Sequence, residues 1–204
     1  MSRSSRSTRV AREATPRQLT DPREMRALAH PVRIALLEAL TREGPLTATE
    51  AADLLGESPA NCSFHLRTLA RYGFVEEAPG AAGRARPWRR VSLGQSFSDF
   101  QPDPATSAAA QLLSGMATER SFQRISTYAR TMGSFAPQWR EAAFADDVLV
   151  YLTADELATI GEEILQILTR YDGRTLDREN RPPGSQPVQL AAFGTPLPPT
   201  PSGN

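Results

Sequence analysis

Apolar residues recur at helical spacing in several separate stretches, each bracketed by residues that start or stop helices. Asp21-Pro22 has the form of an N-cap followed by proline at the first helical position, and Met25, Leu28 and Ala29 follow at i, i+3, i+4. His30-Pro31 interrupts, because a residue before proline avoids the α region. "PVRIALLEAL" then puts Val32, Leu36, Leu37 and Leu40 on one face, until Gly44-Pro45 stops the helix. Thr47-Ala48-Thr49-Glu50 is a capping box opening a short helix with Ala51, Ala52, Leu54 and Leu55, ended by Gly56. Ser58 caps a further helix with Pro59 at N1, running to about Tyr72, with Gly73 just beyond its end.

After Gly73 the period shortens. "FVEEA" and "RPWRRVSL" are strand candidates joined by the Pro/Gly-rich "PGAAGRAR". Residues 21–94 therefore read as helix, helix, helix, turn, helix, β-hairpin, which is a helix-turn-helix with a wing. "QSFSDFQPDP", 95–104, reads as a linker. A long helical segment follows from Ala105 to Met132, with Leu112, Met116, Phe122, Ile125 and Ala129 as its apolar side. "QWREAAF" is a short helix candidate, and "DVLVYLT" (147–153) a strand candidate. Thr153-Ala154-Asp155-Glu156 is a second capping box, opening a helix with Leu157, Ile160, Ile164, Leu165 and Leu168 that ends near Tyr171. A polar loop leads to the strand candidate "PVQLAAFG" and a Pro-rich tail.

The expected fold class is mainly α: an N-terminal winged helix-turn-helix and a C-terminal helical domain containing a small two-strand element. The expected boundaries are 1–20 for a disordered basic arm, 21–94 for the winged domain, 95–104 for the linker, 105–194 for a helical dimerisation and candidate effector domain, and 195–204 for the tail.

Composition narrows the function classes. The chain has 204 residues, a 40% hydrophobic share and one cysteine, which excludes an internal disulfide framework and a Cys-rich zinc ribbon. No apolar run suits a membrane span and the N-terminus lacks an apolar signal region, so a cytoplasmic protein is expected; an Arg- and Ser-rich transit peptide is the minor alternative. All 23 basic residues are arginine. The net charge of zero hides an asymmetry: residues 1–21 carry five Arg against two acids, 22–94 ten against eight, and 95–204 eight against thirteen. That split points to a polyanion-binding front half, and double-stranded DNA is the expected partner.

The helix from Pro59 holds the candidate chemistry. On a wheel at ~100° per residue, Cys62 falls within the Leu66/Leu69 stripe and His65 flanks it, so both read as packing residues. The opposite face carries Ala60, Ser63, Phe64, Arg67 and Arg71, with Asn61 at its margin. A helix fits the major groove, where Asn reads adenine, Arg reads guanine and an apolar group meets the thymine methyl. Phe64 has two readings, that methyl contact or spare packing under the wing. Ser58 and the helix N-terminus suit a phosphate. Arg84, Arg86, Arg89 and Arg90 in the wing stand in a segment without acids between Pro79 and Ser98, as phosphate or minor-groove contacts require. Trp88 and Val91 read as anchors of the hairpin. The DNA-contact set is thus Ser58, Asn61, Ser63, Phe64, Arg67, Arg71, Arg84, Arg86 and Arg89.

"ALAHPVRIALLEAL", "TATEAADLLGESPANCSFHLRTLARYGFV" and "GRARPWRRVSL" together resemble the ArsR-type winged helix-turn-helix regulators over roughly residues 22–94. The resemblance implies a homodimeric, sequence-specific DNA binder, usually a repressor, on a two-fold symmetric operator. It places Ser63, Phe64 and Arg67 on the recognition helix and Arg84 and Arg86 on the wing. The family's Cys-x-Cys metal site is replaced here by "TATEAADLL", and no histidine follows residue 65. No metal and no cofactor are expected.

An enzyme is not expected. Asp155 and Glu156 suit a helix N-terminus, Glu162-Glu163 a solvated face, and Asp146 and Asp147 have no histidine or cysteine to work with in the second half. The alternative is a winged-helix interaction module, or an effector-binding protein, without direct DNA readout. In the C-terminal domain, Phe122, Tyr128, Trp139 and Phe144 are candidate lining for a small apolar effector, although core packing is the stronger reading for them. The strand candidates 148–152 and 188–193 are expected to pair around the long helix, which itself could pack on 154–171.

Overall fold

The computed structural model describes residues 17–79, 86–92, 94–96, 103–176 and 178–198. In chain order the described elements are β1 (Arg17–Gln18), α1 (Pro22–Leu28), α2 (Pro31–Glu43), α3 (Ala48–Leu55), α4 (Pro59–Arg71), β2 (Val75–Glu77), β3 (Trp88–Arg90), β4 (Gln95–Ser96), α5 (Pro104–Thr131), α6 (Pro137–Ala142), α7 (Ala154–Thr169) and α8 (Asp172–Leu176). Short 3-10 turns follow α5 and α8. The protein is mainly α, with a small antiparallel sheet behind the helix-turn-helix.

The caps form as their residue types dictate. Asp21 accepts from the Arg23 amide, Thr47 and Glu50 close a reciprocal capping box, and Ser58 accepts from the Asn61 amide. Histidine caps α2: His30 Nδ1 accepts from the Val32 amide at 3.2 Å, so the pre-proline residue that breaks the chain also starts the next helix. Gly56 ends α3 at φ 67, a left-handed conformation that glycine adopts at no steric cost. The strip Leu36, Leu37 and Leu40 of α2, Ala51 and Ala52 of α3, and Cys62, Leu66 and Leu69 of α4 bury together with Phe74 and Val75. β2 and β3 pair antiparallel with Val75 opposite Arg90, and Leu46 bridges to Trp88, which ties the wing to the segment ahead of α3.

Packing begins earlier than expected, inside the segment read as a basic arm. β1 pairs in parallel with β4, which drew its residues from the expected linker, and Leu19 is fully buried. Arg17 explains the order: its Nη1 donates to the Tyr72 carbonyl at 2.5 Å, its Nη2 pairs with Glu24, and its guanidinium lies 4.8 Å from the centre of the Phe74 ring. It thereby satisfies a carbonyl at the C-terminus of α4. A Cβ on Gly73 (φ 70) would stand 3.3 Å from that guanidinium.

The second half departs further from expectation. α5 starts at Pro104 with Asp103 as its cap, and it buries Thr106, Ala109, Ala110 and Leu113 against α1. The larger residues Leu112, Phe122 and Ile125 face outward, because the alanines allow the closer helix approach. α5 accordingly docks on α1 and not along α7. The segments 147–153 and 187–194 form no strands. Among the described residues neither finds a partner edge, and 144–152 and 186–198 make no backbone–backbone hydrogen bond there. The capping box of Thr153 and Glu156 does form and starts α7. The loop after Tyr171 holds α8, which contacts α2.

Candidate nucleic-acid interface

α4 is held from behind and open in front. Cys62, His65, Leu66 and Leu69 are buried, while Ala60, Phe64, Arg67 and Arg71 are exposed. Ser63 and Asn61 lie half-buried at the two margins. Burial pushes the Cys62 thiol up, with the charge of Glu57 adding to it, so the sulfur is a neutral packing group.

His65 is buried beside His30, with ring centroids 4.5 Å apart, and its Nδ1 lies 3.5 Å from Arg33 Nη1. Burial lowers both histidine pKa values; nearby Arg33 lowers each further, and His30 does the same to His65. Arg33 also donates through Nη2 to the Arg26 carbonyl at 3.2 Å. The Ala-His-Pro-x-Arg stretch is therefore structural, with a cap at His30, a first-turn Pro31 and an arginine that braces α4 against α2 and the end of α1.

Phe64 is 58% exposed and does not pack under the wing. It lines a shallow cleft of about 350 Å³ between α1 and α4, together with Arg23, Arg26, Thr68, Arg71 and Tyr72. Three arginines around one exposed aromatic ring form a surface for a polyanion that carries flat or apolar groups. Among the described residues neither Arg67 nor Arg71 makes an ion pair. Arg23 and Arg26 were not among the residues the sequence singled out. Their signal was present, since both lie on the polar side of a helix that buries Met25 and Leu28, but only packing brings α1 beside α4.

Other members of the expected set are partly engaged. Ser58 Oγ is used in capping, and its hydroxyl proton remains available as a donor. Asn61 Nδ2 donates to Glu57 Oε2 at 2.8 Å, which places an acid at the mouth of α4. In the wing the expectation of arginines without counter-charge fails in three dimensions. The antiparallel register sets Glu76 opposite Arg89, and these pair at 2.5 Å; Glu77 pairs with Arg86 at 2.7 Å. Arg90 turns inward and donates to Thr41 Oγ1 at 2.7 Å; desolvation brings its pKa down to about 10. Arg84 lies outside the described residues. Trp88 packs against the core as expected of an anchor, and the Val91 amide donates to the Phe74 carbonyl.

These are the elements of a helix-turn-helix with its second helix presented outward. Residues 28–78 match a helix-turn-helix domain family. The matched helix-turn-helix domain spans α2, α3, α4 and β2, and gives this part of the chain a DNA-binding, regulatory character. No curated protein matches the chain. No helix among the described residues is long and apolar enough to cross a membrane. Outside the domain, Phe122, Tyr128, Trp139 and Phe144 do not form a core: none is buried, Phe122 stacks on Phe193, Tyr128 meets Phe135, and Phe144 is exposed.

Proposed function

We propose that the protein is a transcriptional regulator of the ArsR type that binds a two-fold symmetric operator as a homodimer and represses the genes it controls. α4 enters the major groove with Asn61, Ser63, Phe64, Arg67 and Arg71, while Ser58 and the helix N-terminus meet a phosphate. Arg84, Arg86 and Arg89 follow the backbone or the minor groove from the wing. The observation that carries this reading is the exposed face of α4, where Phe64 and Arg71 stand beside Arg23 and Arg26, and Arg67 is open to solvent. About four to six phosphate contacts per copy predict a log–log salt slope of roughly −7 to −11 for the dimer. Selection of binding sites from random DNA, followed by anisotropy titrations at several salt concentrations, tests it. A two-fold symmetric motif and a steep slope support it. Salt-insensitive binding, or no enriched motif, would sink it.

A second reading is favoured by the paired wing, which leaves less free positive charge, and by the Glu57–Asn61 bond, which sets a carboxylate at the N-terminal end of α4. It makes the winged domain a protein-interaction module, and it predicts no loss of function on Arg67→Ala.

A further inference from the structure

Among the described residues, all but two of the exposed large hydrophobic side chains lie after residue 111; the exceptions are Leu54 and Phe64. They concentrate on two segments. The first, 148–152, is a continuous apolar run, the pattern of a strand covered on both faces. Its side chains instead stand in solvent, with Tyr151 101% exposed, and its backbone pairs with nothing among the described residues. The second, 188–193, lies against α5 on one side only. Gln189 accepts from Arg124 Nη1, and Phe193 stacks over Phe122 with ring planes 12° apart. Those two contacts are four residues apart, the same side of an extended chain at a period of two, while Val188, Leu190 and Phe193 itself stay 62%, 42% and 58% exposed. The segment is thus loosely seated on α5, and it makes no backbone–backbone hydrogen bond among the described residues.

From this juxtaposition we infer that two copies of the chain exchange strands: residues 148–152 of each copy pair with residues 188–193 of the other. This rests on the homodimeric reading above and specifies its interface. Within one chain the two segments share no backbone hydrogen bond among the described residues, although Leu157 of α7 lies against Gly194. A two-fold arrangement supplies a partner edge for both segments at once, with the same surface used on each copy. The area is sufficient. The large apolar residues of 144–152 and 188–193 are 42–101% exposed. At ~150–200 Å² per large side chain they offer on the order of 1,000 Å² per copy, against ~800 Å² per partner in a standard stable interface. Covering them would also remove an apolar patch larger than a soluble monomer ordinarily carries.

The test uses the full chain with Val150→Cys, Leu190→Cys and the double variant; native Cys62 is buried and serves as its own control. After mild oxidation, the 1:1 mixture of single variants should yield a covalent dimer several-fold above either variant alone. The double variant should yield a doubly linked dimer. An internal disulfide within a monomeric double variant would overturn the inference. So would a dimer, seen by light scattering, in which the mixture gives no cross-link; that result would leave the DNA-binding reading intact. Cross-linking without DNA affinity would do the reverse. As a second variant, Val150→Pro removes a ladder donor in a segment that makes no backbone–backbone hydrogen bond among the described residues. It should weaken dimerisation at least about tenfold with helix content unchanged, and undiminished dimerisation would count against strand exchange.

Discussion

Arg120 of α5 donates through Nε to Glu38 of α2 at 2.5 Å, and Arg124, one turn further along α5, reaches the same carboxylate. Burial raises the Glu38 pKa, but the hydrogen bonds and charges of the two arginines outweigh it and hold the carboxyl below its ordinary value. The Glu38 bond in turn raises Arg120. This clamp fastens the second half of the chain to the helix-turn-helix domain. Glu38→Gln is expected to cost about 1–2 kcal/mol, for a partly exposed charged pair. A carboxyl whose folded pKa is depressed gives stability that is present above the unfolded value, near 4.5, and is lost as pH falls through the folded pKa. Urea midpoints from pH 7 to pH 3 should therefore fall less steeply for Glu38→Gln than for the parent below about pH 4.5.

The two histidines predict a second acid-sensitive step. Both have pKa values lowered from 6.5, chiefly by burial, so the folded state binds the proton less well than the unfolded chain. Their stabilising effect is full above about 6.5 and is lost as pH falls through the folded values. Protonating His30 would also remove the acceptor that caps α2. Replacing His65 by Gln should flatten the stability–pH curve between pH 6.5 and 5, as read by thermal melts. An unchanged slope would show that the pair does not set it.

On the exposed side of α4, stability and binding should separate. Phe64→Ala removes a side chain that is mostly in solvent, so the melting temperature should hardly move, while operator affinity falls. Arg67→Ala should cost about 1–3 kcal/mol of operator binding and relax the sequence preference. Arg23→Ala and Arg26→Ala should weaken all DNA sequences alike and reduce the dimer's salt slope by about two each, one contact per copy, the behaviour of phosphate contacts. Anisotropy titrations on operator and scrambled DNA distinguish the two patterns.

In the wing, the partners of Arg86 and Arg89 are acids of the same hairpin, and DNA must compete with them. Glu76→Gln combined with Glu77→Gln should release both guanidinium groups. DNA affinity at low salt should rise with little change in melting temperature, as expected of solvent-exposed pairs. Unchanged affinity would place the wing away from the DNA.

Cys62 should behave as a core residue. Cys62→Ser buries a hydroxyl and should cost about 1–3 kcal/mol, more than Cys62→Ala. The native thiol should react with a disulfide reagent only as fast as the protein opens. Rapid stoichiometric labelling would contradict its burial.

The front half was legible in the sequence because its signals are local. Asp21-Pro22, Thr47 with Glu50, Ser58-Pro59, Gly56 and Gly73 each act within one turn of chain, and the wheel around Cys62 sorted the buried from the exposed residues of α4. What escaped notice depends on partners far along the chain. Arg17 became structural through Tyr72 and Glu24, Arg90 through Thr41, and the wing arginines met Glu76 and Glu77 only through strand register. In the second half, weight on large residues selected Leu112 and Phe122 as the packed side of α5, whereas Ala109 and Ala110 do the docking. The runs 148–152 and 188–193 have strand character but no edge to join within their own chain.

The docking of α5 by its first turns has a mechanical consequence. A helix of 28 residues extends about 40 Å, and this one is seated at one end by Thr106, Ala109, Ala110 and Leu113. Arg120 and Arg124 hold it a second time, at Glu38 of α2, about 15 Å further along the axis. A rod pinned at two points cannot pivot, so a pull on its distal turns is passed to α1 and α2 as one rigid movement, and both of these pack on α4.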